Sequence, residues 1–452
     1  MSPRRPTLLA LACVAAVASV AVNALSVPFS RVSGASSRSS KDTSSNLFDF
    51  QNSNNASSAD IYVATLSVAG QDFVIQLDTG SSDLWLDTAG IDLSSLTQTG
   101  YETGLSYSDG TVAEGPLYVG NVTFGNFTVN QAFISAPGTN ATTNQDRGLL
   151  GVGPPLLSTV QSALANTIYN GDTLMNNVLD SDPSLPKFTT FSLSRSFATG
   201  KTDGGTFTIG EVNSSFSAIT SNPQLDVVSK DRWIVLMDNI IVNGRNVSGG
   251  SSFSVSGQSS GQTLACLDTG TTLAQIPRTY ADAIYGPVPG SILQESAGIY
   301  AVPCDAKINV TFVFAGMEFP VHPIDTVTAT TDDNGNIVCY SGFPFSDGSD
   351  SSEDFLLGDS FLRNVYSLYD YGSFFNESAS PFIQLLATTN ADQAYPEFDS
   401  LSAQRNQSLL SSRSSSGSSP GGTGSGSSSA SPSRTSKLGA MSILLAFGLL
   451  II

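Results

Sequence analysis

The sequence predicts an all-β, bilobal fold with a cleft between two related lobes, and three observations carry that expectation. Asp78-Thr79-Gly80-Ser81-Ser82 recurs 190 residues later as Asp268-Thr269-Gly270-Thr271-Thr272, each copy directly after a strand-like apolar run. An apolar-apolar-Gly segment also occurs twice, as Gly148-Leu149-Leu150-Gly151 and as Phe355-Leu356-Leu357-Gly358, downstream of each copy. Between about 60 and 400 the chain is made of short apolar or alternating runs broken by Gly, Asn, Asp and Ser, which is strand-and-turn composition. A duplication with so long a period describes two lobes and not a solenoid, whose repeats are far shorter. The 452 residues leave room for two lobes of roughly 170 residues each.

Taken in order, residues 1–24 read as a secretory leader: Arg4 and Arg5, an apolar stretch over 8–22, and the small-residue site Val22-Asn23-Ala24. Residues 25–59 are Ser- and Asn-rich and show no folding pattern, so a short pro-segment is expected there. The first lobe is assigned to 60–225 and the second to 226–400. Strands are expected at 61–68, 206–209, 233–242, 308–314 and 366–369. Asn243-Gly244 is a hairpin turn signal. Helices should be few and short, with 156–170 and 277–285 the best candidates. From 401 to 427 the composition turns to Ser and Gly with scattered Pro, a stalk unable to bury enough apolar surface to fold. Residues 428–452 read as a glycosylphosphatidylinositol (GPI) attachment signal, with Ser427 as the attachment site and an uncharged terminus over 438–452. Fifteen apolar residues fall short of the roughly 20 that span a bilayer, which is the alternative reading of that terminus.

Charge and composition exclude several functions. Residues 46–401 hold 10 basic against 37 acidic side chains, a net charge of −27 that argues against nucleic acid as a partner. The one histidine, His322, cannot supply an HExxH zinc site, and its Pro-Val-His-Pro context offers nothing for a catalytic triad, so it is expected to be structural or at the surface. No Gly-x-Ser-x-Gly context marks a serine nucleophile. No metal or organic cofactor is expected. Of four cysteines, Cys13 lies in the leader, and Cys266, two residues before Asp268, is expected to be a small buried core residue.

What remains is carboxylate chemistry. Each Asp-Thr-Gly ends a strand in a turn that Gly makes tight and the hydroxyl residues can hydrogen-bond. Two carboxylates brought face to face cannot both ionise easily; they share a proton, and one can serve as base while the other serves as acid.

Both copies, with Asp83-Leu84-Trp85 after the first, resemble the signature of the pepsin-like aspartic protease family, in its fungal, GPI-anchored yapsin-like type. Tyr107-Ser108-Asp109-Gly110-Thr111 resembles the tip of that family's flap, with Tyr107 as the flap tyrosine and Asp109 where many fungal members carry an aspartate. The resemblance runs from about 60 to 390 in the family's order. It implies an endopeptidase with Asp78 and Asp268 catalytic and a cleft preferring hydrophobic side chains. It implies that Thr79 and Thr269 tie the two turns together, that Gly80 and Gly270 bring backbone N–H groups to the carboxylates, and that Ser81 and Thr271 bond their outer oxygens. It further implies a Cys304–Cys339 disulfide. The partners expected are protein or peptide substrates and, through the anchor, a membrane; the protein is expected to be a monomer. A catalytically inactive wall or adhesion protein on the same fold is the other reading, although no dyad, glycine or flap-tyrosine position is replaced. Nine sequons begin at Asn55, Asn121, Asn126, Asn140, Asn213, Asn246, Asn309, Asn376 and Asn406 and are candidates for glycosylation in a secreted chain.

Overall fold

The computed structural model describes residues 25–33, 60–107, 110–142, 146–195, 197, 200–332, 334–346, 352–416 and 450–451, with the backbone alone for 25–33, 60, 200–203, 346, 412–416 and 450–451. Strands dominate, joined by a few short helices. In the first half, Asp60–Val68 and Gln71–Asp78 form a hairpin, and Gly148–Gly151, Leu84–Leu86, Phe127–Ser135, Val112–Phe124 and Thr97–Tyr107 follow as successive neighbours in one sheet. That sheet reaches into the second half, because Phe188–Leu193 pairs antiparallel with Val365–Asp370, Tyr366 opposite Ser192. The second half builds a three-stranded sheet around Thr263–Leu267 and two four-stranded sheets beside it.

Local sequence explains the turns. Ala69-Gly70, Asn243-Gly244 and Ala315-Gly316 all have positive φ at both residues, the primed geometry whose twist matches that of paired strands. Gln71 and Asp72 are exposed, buried then alternates with half-buried from Phe73 to Gln76, and the strand ends with both Leu77 and Asp78 buried, so one face meets the core from Phe73 onward. Trp233 packs edge-on against Tyr369, Tyr371 and Phe374, joining distant parts of the chain beneath the site.

Several expected elements differ in extent. The run 233–242 is two strands, Ile234–Met237 and Asn239–Val242, broken at Asp238. The expected helix 156–170 is a 3-10 turn, Pro155–Leu157, and a single helix, Thr159–Leu164, because Pro154-Pro155 and the N-cap Ser158 restart the chain. Leu174–Ser181, capped by the Thr173 hydroxyl, was not expected. Leu25–Ser33, placed in a segment without a folding pattern, is a strand between Asp60–Val68 and Gly200–Ile209. The largest correction concerns the stalk. Ala391–Ser416 is helical, so folded structure continues past 400. Its buried side chains, Ala394, Phe398, Ser402, Arg405 and Leu409, recur at helical spacing. Arg405 donates to the carbonyls of Ile324 and Val327, which is how a cation sits on the inner face.

Cys304 and Cys339 form a disulfide with Cα atoms 5.2 Å apart. Closing a loop of 35 residues restricts the unfolded chain, so Cys304→Ala/Cys339→Ala is expected to lower unfolding stability by about 3–4 kcal/mol, read from urea midpoints under non-reducing conditions.

Candidate active site

Asp78 closes the strand Gln71–Asp78, and Asp268 follows directly on Thr263–Leu267. Each of these strands has a parallel neighbour behind it. Asp78 is level with Gly151 in the first half, and Leu267 pairs with Leu357 in the second, which brings Gly358 level with Asp268. The two glycines are obligatory because a Cβ on Gly151 would overlap the backbone of Ser81 and Ser82, and one on Gly358 would overlap the Thr271 carbonyl. The two apolar-apolar-Gly segments thus support the two Asp loops from behind.

The loops interlock. Thr79 N–H donates to Thr269 Oγ1 at 3.1 Å and Thr269 N–H donates to Thr79 Oγ1 at 3.0 Å. The hydroxyls donate onward, Thr79 Oγ1 to Leu267 O at 2.9 Å and Thr269 Oγ1 to Leu77 O at 3.0 Å. Four buried bonds related by a near-twofold axis fix the separation of the two carboxyls. Gln76 adds a fifth link, its Nε2 donating to Gly270 O at 3.1 Å.

Each carboxyl sits in the same cradle. Asp78 accepts from Gly80 N–H at 2.7 Å and from the Ser81 hydroxyl; Asp268 accepts from Gly270 N–H at 2.7 Å and from Thr271 Oγ1 at 2.7 Å. Gly80 has no room for a side chain, since a Cβ would stand 2.7 Å from the Asp268 carboxyl. Both aspartates are buried, at 1% and 0% exposure, and their carboxyls lie within hydrogen-bonding reach of each other. Burial first, then the charge of Asp268, pushes Asp78 well above the usual carboxylate range. Burial also raises Asp268, against the pull of its hydrogen bonds to Asp78, Thr271 and Gly270. Such a pair retains a proton in acid and can move it.

Tyr107 ends the outer strand of the hairpin Thr97–Tyr107/Val112–Phe124. Its hydroxyl accepts from Trp85 Nε1 at 2.7 Å, and it belongs to the buried cluster that also holds Leu105, Leu117, Ile134 and Leu149. Gly110 N–H donates to Tyr107 O at 2.9 Å, closing the hairpin tip; Asp109 lies outside the described residues. Sequence reading missed the bond from Trp85 that orients Tyr107 and the role of Asp83. The Asp83 carboxylate accepts from Thr159 N–H at 2.8 Å and Val160 N–H at 3.3 Å, which ties the signature loop to the start of a helix. No sequence signal links residues so far apart.

The remaining candidates separate clearly. Cys266 is buried, and burial and then the Glu353 carboxyl push its thiol far up, so it stays protonated and unreactive. His322 is buried, its Nδ1 accepting from Ile324 N–H at 3.1 Å, and serves as a turn cap. Asn121, Asn126, Asn140, Asn246, Asn309 and Asn376 are exposed. Asn213 is half-buried and caps the following turn through Ser215 N–H at 3.0 Å. Asn406 lies within the helix Ala391–Ser416 with its Oδ1 buried. Asn55 and Ser427 fall outside the described residues.

Residues 61–375 match the eukaryotic aspartyl protease family, and the chain belongs to it. It is 29% identical over 340 residues to an aspartic protease of Phaffia rhodozyma, covering 70% of this chain and 75% of the relative. It is 26% identical over 356 residues to major aspartyl peptidase 1 of Cryptococcus neoformans, covering 74% and 70%. The crystal structure of the aspartic proteinase from Irpex lacteus has the same fold, with a TM-score of 0.56 at 22% identity over 81% of this chain and 98% of that one. The protein is an aspartic-type endopeptidase with the bilobal all-β fold.

Proposed function

We propose that Asp78 and Asp268 are the catalytic dyad of this endopeptidase, and that it hydrolyses peptide bonds in acid within protein substrates, favouring hydrophobic residues about the cut. The observation that carries this is the pair of buried carboxyls within hydrogen-bonding reach, each held by a glycine N–H and a hydroxyl of its own loop. A water between them loses a proton to the ionised carboxyl as its oxygen attacks the scissile carbonyl carbon. The protonated carboxyl polarises the carbonyl oxygen, and a proton then passes to the leaving nitrogen as the C–N bond breaks. Tyr107, on its hairpin, closes over the peptide and excludes water. Hydrolysis of a denatured protein at about pH 3–5, abolished by a statine-type inhibitor and unaffected by chelators or serine reagents, is the expected result. Binding of peptide without cleavage would assign the chain to the inactive, adhesive reading.

The same reading places the enzyme in the secretory pathway and at the cell surface on a GPI anchor. It rests on the leader composition, the Ser/Gly stretch and the apolar terminus. Helix to Ser416 leaves 11 residues of the Ser/Gly stretch, 417–427, between it and the proposed attachment site. Phosphatidylinositol-specific phospholipase C is expected to release activity from intact cells, and truncation after Ser427 to send it to the medium. A truncated form that stays with the membrane would overturn the anchor.

A further inference from the structure

The helix Ala391–Ser416 lies beyond the residues matched to the family, which end at 375, yet it is docked on the body by specific contacts. Phe398 is buried, with the Lys307 ammonium 5.5 Å from its ring centre, and Lys307 also donates to the Asp399 carboxylate at 2.8 Å. Tyr395 donates its hydroxyl to Lys307 O at 3.0 Å. One to three turns further on, Arg405 donates to the carbonyls of Ile324 and Val327. The helix thus lies across the turn 322–327, with the Glu397 carboxylate 3.7 Å from His322 Nε2. The same turn is held by Asn364, which is fully buried. Asn364 Oδ1 accepts from His322 N–H at 2.9 Å, from Arg195 Nη2 at 3.1 Å and from the Thr389 hydroxyl at 2.6 Å. Its backbone carbonyl accepts from Thr388 N–H at 2.9 Å. Thr388 and Thr389 lead directly into the helix, so one side chain ties the helix start to the turn that the helix covers.

Asn364 also reaches the site. Its Nδ2 donates to Asp325 Oδ2 at 3.1 Å and to Ser360 O at 3.0 Å. Ser360 belongs to the short helix Asp359–Leu362, which carries the loop that follows Asp268. Asp359 N–H donates to Thr271 O at 2.8 Å, Ser360 N–H donates to Thr272 O at 3.2 Å, and Ser360 Oγ accepts from Ala274 N–H at 2.9 Å. Thr271 in turn bonds the Asp268 carboxyl. In the first half the corresponding loop is closed locally, with Gly153 N–H donating to Ser81 O at 2.7 Å and Ser82 Oγ donating to Pro154 O at 2.6 Å. In the second half the chain of bonds runs on through Asn364 to the C-terminal helix. We propose that Asn364 is a positioning residue for the Asp268 loop and that the helix Ala391–Ser416 is the strap that keeps it in place, so that undocking the helix slows hydrolysis while the lobes stay folded. The proposal rests on the dyad reading above. With the helix undocked, the Asn364 amide loses the Thr389 hydroxyl and a fixed 322–327 turn, and Ser360 O loses a donor of fixed direction. The support behind Thr271 and Thr272 then loosens, and a carboxyl displaced by on the order of 1 Å reacts about 10–100-fold more slowly.

Four variants of the purified full chain test this: Asn364→Ala at the hub, Phe398→Ala and Arg405→Ala on the helix, and Arg405→Lys, which can still donate to a carbonyl. Rates are taken per active site titrated with a statine-type inhibitor, so that unfolded molecules do not count. The first three are expected to lower kcat on the order of 10-fold with KM held within about twofold, and Arg405→Lys to recover most of the rate. Amide hydrogen exchange on the same preparations reads the coupling directly. Phe398→Ala and Arg405→Ala are expected to speed exchange in 391–411 and also in 268–274, with the strand Val112–Phe124 unchanged as the reference. A helix that exchanges freely while kcat and the exchange of 268–274 stay at wild-type values would overturn the proposal. So would a helix that stays protected in both helix variants. Should Asn364→Ala fail to fold, the helix variants decide. A wild type without acid proteolysis would instead defeat the dyad reading, and the exchange of 268–274, which needs no activity, would still decide the strap.

Discussion

Asp78→Asn and Asp268→Asn are each expected to cut kcat/KM for a denatured protein substrate by about 10³-fold or more, with the melting temperature unchanged or higher. The loss follows from the number of protons the site can hold. One carboxyl must be ionised to take a proton from water while the other is protonated to polarise the carbonyl. An amide can do neither, and the surviving carboxyl cannot do both at once. The retained fold follows from the cradle. Asparagine keeps the oxygen that accepts from Gly80 N–H or Gly270 N–H, and the Ser81 and Thr271 hydroxyls can turn to accept from its NH₂. It also removes the cost of holding a charge in a buried site, so stability is not expected to fall. Melting curves and kinetics on the same preparations check both halves. Either single variant keeping a tenth of wild-type activity, at unchanged purity, would defeat the dyad assignment.

The dyad was legible because its chemistry forces particular residues into a short local window, twice. Asp, Thr, Gly and a hydroxyl each have a separate task within five positions: carrying the charge, linking the loops, admitting a neighbouring carboxyl and bonding the outer oxygen. The supporting glycines were legible for the same reason, since no Cβ fits at Gly151 or Gly358. The helix Ala391–Ser416 was not. Two of the five residues on its inner stripe are Ser402 and Arg405, and a Ser-rich composition hides a face that is completed by backbone carbonyls of Ile324 and Val327. The strand Leu25–Ser33 contains Pro28, and the part that holds it pairs with Gly200–Ile209 alone, an edge position that suits proline; past the register shift between Phe29 and Ser30, Ser30–Ser33 pairs with Asp60–Val68 as well.

Unfolding stability is expected to be greatest in acid and to fall as the pH rises from about 4 to 7. Asp370 gives the clearest case. Burial, with the charge of Glu377 adding to it, raises its carboxyl from 3.8 to about 6. A group raised in the folded state binds its proton more tightly there than in the unfolded chain. Its stabilisation is complete below the unfolded value near 4 and is lost as the pH climbs through about 6. A shift of about two units corresponds to about 3 kcal/mol, of which about 1–2 remains for a side chain still partly in water. Asp78, Asp268, Asp83 and Glu353 are all raised, burial being the largest cause in each, and act in the same direction. Asp325 works the other way. Burial would push it up, but Arg195 and Arg363 overrule that and hold it well below the usual range. Its contribution is therefore lost only as the pH falls through that depressed value, below the acid range in which the enzyme is expected to work. Urea unfolding at pH 4, 5, 6 and 7 is expected to show a declining midpoint, with Asp370→Asn the flattest between pH 5 and 7. A midpoint that rises across this range, or an Asp370→Asn profile parallel to the wild type, would show that these buried carboxyls do not govern the acid preference of the fold.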